Sequence, residues 1–156
     1  RVTEWALNRE NLLKIIPLVK ERVDVFSQLA PMISFFAEGM PEISPESLKV
    51  KNVEEEDVKK ILQFSLWRLE AQTLWERDPL KQLFNDLAES LGLKIRDVLA
   101  PIFVAISGKP VAPPLFDSMA ILGPDICRAR LRHALNTLGG VSKKQVKRLE
   151  KEYKEL

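Results

Sequence analysis

Residues Ser107–Leu135 read SGKPVAPPLFDSMAILGPDICRARLRHAL, and the order of signals in this stretch decides the fold class. A short apolar segment ends at Ser107-Gly108. A proline-rich turn follows through Pro110, Pro113 and Pro114, and two amphipathic helices then hinge on Gly123-Pro124. Glycine stops a helix because it accepts backbone angles that side chains resist. Proline directly after it suits the first turn of the next helix, where its fixed φ is preset and its missing N–H costs nothing. In the second helix Cys127, Leu131, Ala134, Leu135 and Leu138 recur at helical spacing and line one face. That register sets Arg128 and Arg132 on one flank and Arg130 on the other.

Working outward, the same periodicity continues. Lys94–Ser107 predicts a helix or helix-turn that Pro101 breaks. Asp78-Pro79 predicts an N-cap followed by proline at the first helical position, with Gly92 closing that helix. A long helix is expected from about Val58 to Trp75. Ile61, Leu62, Leu66 and Leu69 form one of its stripes, and Phe64, Trp67, Ala71 and Trp75 the other. A helix apolar on two sides is buried between neighbours, which makes Trp67 and Trp75 core anchors; base-stacking platforms are the alternative. Glu54, Glu55, Glu56 and Asp57 ahead of it complement the positive end of the helix dipole. Farther upstream, Asn11–Arg22 and Val25–Phe36 are apolar-periodic, and Pro17 and Pro31 should kink or shorten them. The segment Glu38–Pro45 reads as a loop. Downstream, Gly139-Gly140 ends the arginine-bearing helix, and Ser142-x-x-Gln145 is a capping box opening a basic helix over Lys143–Glu155. No period-two alternation appears. The expected fold is all-α: two small helical subdomains in series, 1–37 and 44–140, and a basic C-terminal helix in 141–156.

Composition narrows the function classes. The chain has 156 residues, 46% hydrophobic and 29% charged, enough for one domain or two small ones sharing a core. Charged residues interrupt every apolar run, so none approaches the roughly 20 residues a membrane span needs. The chain begins at Arg1 with no cleavable signal pattern, as expected of a piece of a longer cytoplasmic protein. Cys127 is the single cysteine and suits a reducing compartment. Net charge is +2, unevenly spread. Seven acids face two lysines between Glu38 and Asp57, whereas nine Lys/Arg face three acids from Arg128 to Leu156. A polyanion is drawn to the second region and repelled by the first, although such runs are also ordinary solvated faces. One Cys and one His cannot build a zinc site, so no metal is expected. His133 reads as a surface residue before an RNA contact or a base. Phosphate-cradling glycine loops and a Gly-x-Ser-x-Gly elbow are absent.

The apolar Ser-Gly run, the Pro-x-Leu-Phe turn and the Leu-Gly-x-x-x-x-x-x-Arg-Leu helix together resemble the C-terminal end of bacterial glutamyl-tRNA synthetases. Leu69-Glu70-Ala71-Gln72 with Trp75, Glu89–Ile106, and Glu21-Arg22-Val23 with its aromatic-ended helix extend the resemblance over roughly Leu12–Leu138. It implies tRNA as partner, read at the anticodon by helical domains. The parent, a monomer, would join glutamate to tRNA with ATP and Mg²⁺. The two class I catalytic signatures, His-x-Gly-His and Lys-Met-Ser-Lys-Ser, do not occur here, so this stretch alone is expected to bind no cofactor and to be inactive. By resemblance Arg22 contacts an anticodon base; a surface arginine pairing with Asp24 or Glu21 is the alternative. Ala112, Pro113 and Leu115 match the turn that packs on the other bases. Phe103 stands where many relatives carry an anticodon-contacting Arg, and a phenyl ring can stack but donates no hydrogen bond. Charge adds Arg128, Arg132, Lys143, Lys144 and Lys147 as phosphate contacts. A paralogue charging glutamine tRNA, or both tRNAs, is the runner-up. The rival from another class is a helical protein-interaction module.

Overall fold

A computed structural model describes residues 9–22, 24, 26–109 and 113–156, with the backbone alone over 26–31. Among the described residues all regular structure is helical, as the apolar periods require. The α-helices are α1 (Arg9–Val19), α2 (Phe26–Ala37), α3 (Glu55–Ala71), α4 (Arg77–Leu91), α5 (Ile95–Ser107), α6 (Leu115–Leu122), α7 (Pro124–Thr137) and α8 (Lys143–Lys154). Short 3-10 turns occupy Lys20–Arg22 and Glu46–Leu48. The buried apolar residues form one continuous core. It runs from Ile15 and Phe35 through Ile61, Leu69, Phe84 and Ile102 to Leu131 and Leu149.

Most helix ends follow local chemistry. Gly92 and Gly108 close α4 and α5 in the left-handed conformation, at φ 64° and 74°. Gly123, at φ 86°, ends α6 and precedes Pro124 at the start of α7. Ser142 and Gln145 form the expected reciprocal capping box on α8. Glu55, Glu56 and Asp57 occupy the first turn of α3.

Three features differ from expectation. Helix α4 starts at Arg77 after Glu76, without a side-chain cap, and Asp78 lies in its first turn, 3.1 Å from Arg77. Pro79 tolerates that register because first-turn N–H groups lack helical partners anyway. Helix α3 ends at Ala71 rather than Trp75, because Gln72 is extended (ψ 119°). Helix α5 continues through Pro101, whereas α1, with Pro17 inside it, ends at Val19 and gives way to a 3-10 turn over Lys20–Arg22, shortened as its proline leads one to expect. An interior proline costs about 3 kcal/mol, and around Pro101 the burial of Val98, Ile102, Ala105 and Ile106 offsets it.

Trp67 and Trp75 sit as core anchors. Trp67 stacks on Phe64 (5.7 Å between centroids) and meets Tyr153 of α8 at 5.2 Å. Trp75 donates its indole N–H to the Met119 carbonyl at 2.8 Å. Helix α8 is held along α3 by buried Leu149, by Arg148 to Glu56 (3.2 Å) and by Lys60 to Glu152 (2.8 Å).

Candidate nucleic-acid interface

The turn between α5 and α6 is built around Ser107. This side chain is buried, with its hydroxyl 2.7 Å from the Phe103 carbonyl, and it accepts the Lys109 N–H at 3.2 Å. Gly108 follows so closely against the preceding loop that an added Cβ would lie 3.1 Å from the Pro41 Cβ. On the far side Pro113 is buried and Leu115, 4% exposed, plugs the start of α6. Ser118 then donates to the Pro114 carbonyl at 2.7 Å and tightens that helix. Two hydrogen-bonded helix ends therefore flank the segment between them. Ala112 lies outside the described residues.

Phe103 is half-buried against the core, so part of its ring remains open to a stacking partner. Arg22 is exposed and ends the 3-10 turn that continues α1. Helix α1 packs on α6, which ties the segment bearing Arg22 to the helix that begins at Leu115.

The arginines of α7 divide by role. Arg128 Nη2 and Nε donate to the Leu69 carbonyl at 2.8 and 3.2 Å, and its guanidinium lies 5.7 Å from the Trp75 ring centroid. Leu69 is in the last turn of α3, where backbone carbonyls lack helical donors, so Arg128 closes that helix. Arg132 pairs with Glu70 at 2.8 Å and is half-exposed.

Arg130 is the residue the sequence reading misplaced. It is 1% exposed, inside the core and not on a flank. Its guanidinium donates to the carbonyls of Ile106, of Phe35 (2.6 Å), of Glu38 (2.8 Å) and of Gly39 (3.2 Å). Phe35 and Ile106 belong to the last turns of α2 and α5, so one cation serves the negative ends of two helices. Burial pulls its pKa below the usual arginine value, while Cys127 and Glu38 oppose the shift. A signal was present. Arg130 lies three residues after Cys127 and four before Ala134, on the buried stripe itself, where a charge must have interior acceptors. Neighbouring Cys127 is buried too, and burial pushes its thiol from 9.0 up to about 12.

The lysines of α8 lie apart from the α7 pair. Lys143, Lys144 and Lys147 are exposed and have no ion-pair partner among the described residues. Arg148 of the same helix grips Glu56, whereas Arg132 grips Glu70. Those two acids are about 21 Å apart along α3 at 1.5 Å per residue. The fold thus sets two basic areas at opposite ends of α3 in place of one continuous edge. Among the described residues no group of His, Cys, Asp and Glu could hold a metal ion, and no helix is long and apolar enough to cross a membrane.

Comparison with known proteins agrees with this geometry. Residues 1–135 match a family described as anticodon binding domain. A glutamate–tRNA ligase of Marinomonas sp. (strain MWYL1) is 51% identical over 156 residues, 100% of this chain and 32% of that protein. One from Saccharophagus degradans is 45% identical over 153 residues, 98% of this chain and 30% of that protein. The solved glutamate–tRNA ligase of Elizabethkingia meningosepticum, in complex with its amino acid, superposes with a TM-score of 0.74 at 26% identity. That match covers 85% of this chain and 26% of the solved one. The chain spans about a third of the length of the curated relatives it matches.

Proposed function

The chain belongs to the anticodon binding domain family, and from that premise we propose that it reads the anticodon of a glutamate-accepting tRNA within a glutamate–tRNA ligase. The observation that carries this reading is the family match over residues 1–135, which takes in the two helix ends, at Ser107–Lys109 and at Pro113–Leu115, that flank the proline-rich segment. The parent enzyme is a cytoplasmic monomer that joins glutamate to tRNA, and ATP and Mg²⁺ act in its other part. This part alone carries no aminoacylation activity. Pro113 and Leu115, both buried, set the shape of the turn from beneath, the turn with Ala112 packs on splayed anticodon bases, and Phe103 stacks where a relative's arginine would donate. Lys143, Lys144 and Lys147 take phosphates; Arg128 and Arg132 add whatever N–H groups Leu69 and Glu70 leave open. The Arg22 segment falls in subdomain 1–37 and the turn in subdomain 44–140, and the two meet where α1 packs on α6.

Arg22 is the base reader, because a planar guanidinium donates two parallel bonds to a base edge. Losing such a contact costs about 1–3 kcal/mol of discrimination, by analogy with DNA bases. In the full-length protein, Arg22→Ala should narrow the kcat/KM ratio between glutamate and glutamine tRNAs roughly 5- to 150-fold, and Arg22→Lys should restore little of it. An equal loss on both tRNAs would make Arg22 a phosphate or structural residue. A full-length protein that charges neither tRNA would overturn the ligase assignment.

A further inference from the structure

A groove of about 700 Å³ opens where the Lys49–Asn52 loop meets the start of α5, lined by Lys49, Val50, Lys51, Asn52, Lys94, Arg96, Asp97 and Ala100. Its charge is not apparent from the chain order. Lys49 and Lys51 lie within the most acidic stretch of the sequence, between Glu38 and Asp57. Folding sorts that stretch. Glu55, Glu56 and Asp57 turn away into the first turn of α3, facing Lys59 (3.6 Å), Arg148 (3.2 Å) and Lys60 (3.9 Å). The left-handed Asn52 (φ 63°) closes the loop in between. Lys49 and Lys51 are thereby set opposite Lys94 and Arg96, from more than forty positions later in the chain.

All four cations are exposed. Among the described residues only Arg96 has an acid beside it, Asp97 at 3.6 Å; Lys49, Lys51 and Lys94 have no ion-pair partner. Four like charges around one concavity repel each other and concentrate a field that draws an extended anion. Val50 and Ala100 are the only apolar residues that line it, and the four cations ring its mouth. Lys49 also lines a second groove, of about 270 Å³, that runs past Val53, Glu54 and Glu55 to Leu138. Those two acids bound the basic area on that side.

We infer that the Lys49/Lys51/Lys94/Arg96 groove binds the phosphodiester backbone of the RNA that this chain reads. The inference rests on the proposed tRNA function and adds a second, base-independent contact. Groove and turn sit at opposite ends of α5, whose 13 residues put them about 20 Å apart. The groove therefore strengthens binding without choosing the anticodon.

The test is binding of a glutamate tRNA transcript, by fluorescence anisotropy, across 50–500 mM KCl. It compares the parent protein, the quadruple variant Lys49→Gln, Lys51→Gln, Lys94→Gln, Arg96→Gln, and the charge-retaining Lys49→Arg, Lys51→Arg, Lys94→Arg, Arg96→Lys. Each phosphate released changes the log–log salt slope by about 0.7–0.9, so three contacts make it shallower by about 2–3. The same loss weakens binding about 100-fold or more at 0.1 M salt relative to 1 M. The charge-retaining variant should keep the parent slope, and a glutamine tRNA should be weakened by the same factor. A glutamine variant with the parent's affinity and slope would overturn the groove alone. So would a loss confined to one anticodon. A parent protein that binds no tRNA would overturn the function reading, and the groove with it.

Discussion

Replacing Arg130 by Met should destabilise the protein by about 2–5 kcal/mol. Met fills most of the volume of the arginine stem, so little cavity forms, and the loss is chiefly of hydrogen bonds. Two of the four carbonyls, those of Phe35 and Ile106, belong to residues 2% and 1% exposed, where water cannot replace the guanidinium. Each such buried acceptor left without a donor costs about 1–3 kcal/mol. The Glu38 and Gly39 carbonyls belong to exposed residues and can turn to water, so they contribute little. Against the loss stands the desolvation of a buried cation, which Met removes, and this holds the total below the simple sum. At about 2–4 °C per kcal/mol for a chain of this size, the melting temperature should fall by about 5–15 °C. Urea and thermal unfolding followed by circular dichroism at 222 nm measure both quantities. Arg130→Lys should recover less than half, because one ammonium cannot span chain segments at 35, 38 and 106. A Met variant within 1 kcal/mol of the parent would mean that those carbonyls find other donors, and the assignment of Arg130 to the helix ends would be wrong.

Two other perturbations probe the neighbourhood. Cys127 keeps its proton up to about pH 12 in the fold but has an ordinary value of 9.0. Its contribution to stability is therefore complete below pH 9 and is lost as pH rises toward 12. The parent should lose more stability than Cys127→Ala between pH 8 and pH 10.5 in urea titrations, and iodoacetamide should leave the native thiol untouched at pH 8. Gly108→Ala forces a side chain into φ 74° with its Cβ 3.1 Å from that of Pro41. It should cost about 1–3 kcal/mol in denaturant melts, and a neutral result would mean that the Gly39–Glu42 loop is free to move aside.

What the sequence disclosed and what it hid follow a physical division. Signals that act within a few residues were legible: Gly92 in the left-handed region, Ser142 with Gln145, the acids at the head of α3, the apolar stripes. Errors arose where distant packing decides. Pro101 reads as a breaker because its local cost is visible, whereas the burial of Ile102 and Ala105 that outweighs it is not. Helix α3 stops at Ala71 while Arg128, 59 positions away, takes the Leu69 carbonyl. The candidate site divides likewise. The helix ends at Gly108 and Leu115 could be read from glycine and proline, but the groove joining Lys49 to Arg96 exists only once the loop has folded onto α5.

The guanidiniums of α7 also set an order of events during synthesis. The carbonyls of Phe35, Leu69 and Ile106 each wait for a donor that arrives 95, 59 and 24 positions later. As the chain leaves the ribosome, α2, α3 and α5 can coil early, since helix formation is local and fast. Their ends stay hydrated until residues 128–130 emerge, and only then can water leave the centre. Closing such distant pairs is the slow, entropically costly part of folding. These three carbonyls can be paired only after α7 has been made, so the interior they border cannot close before it.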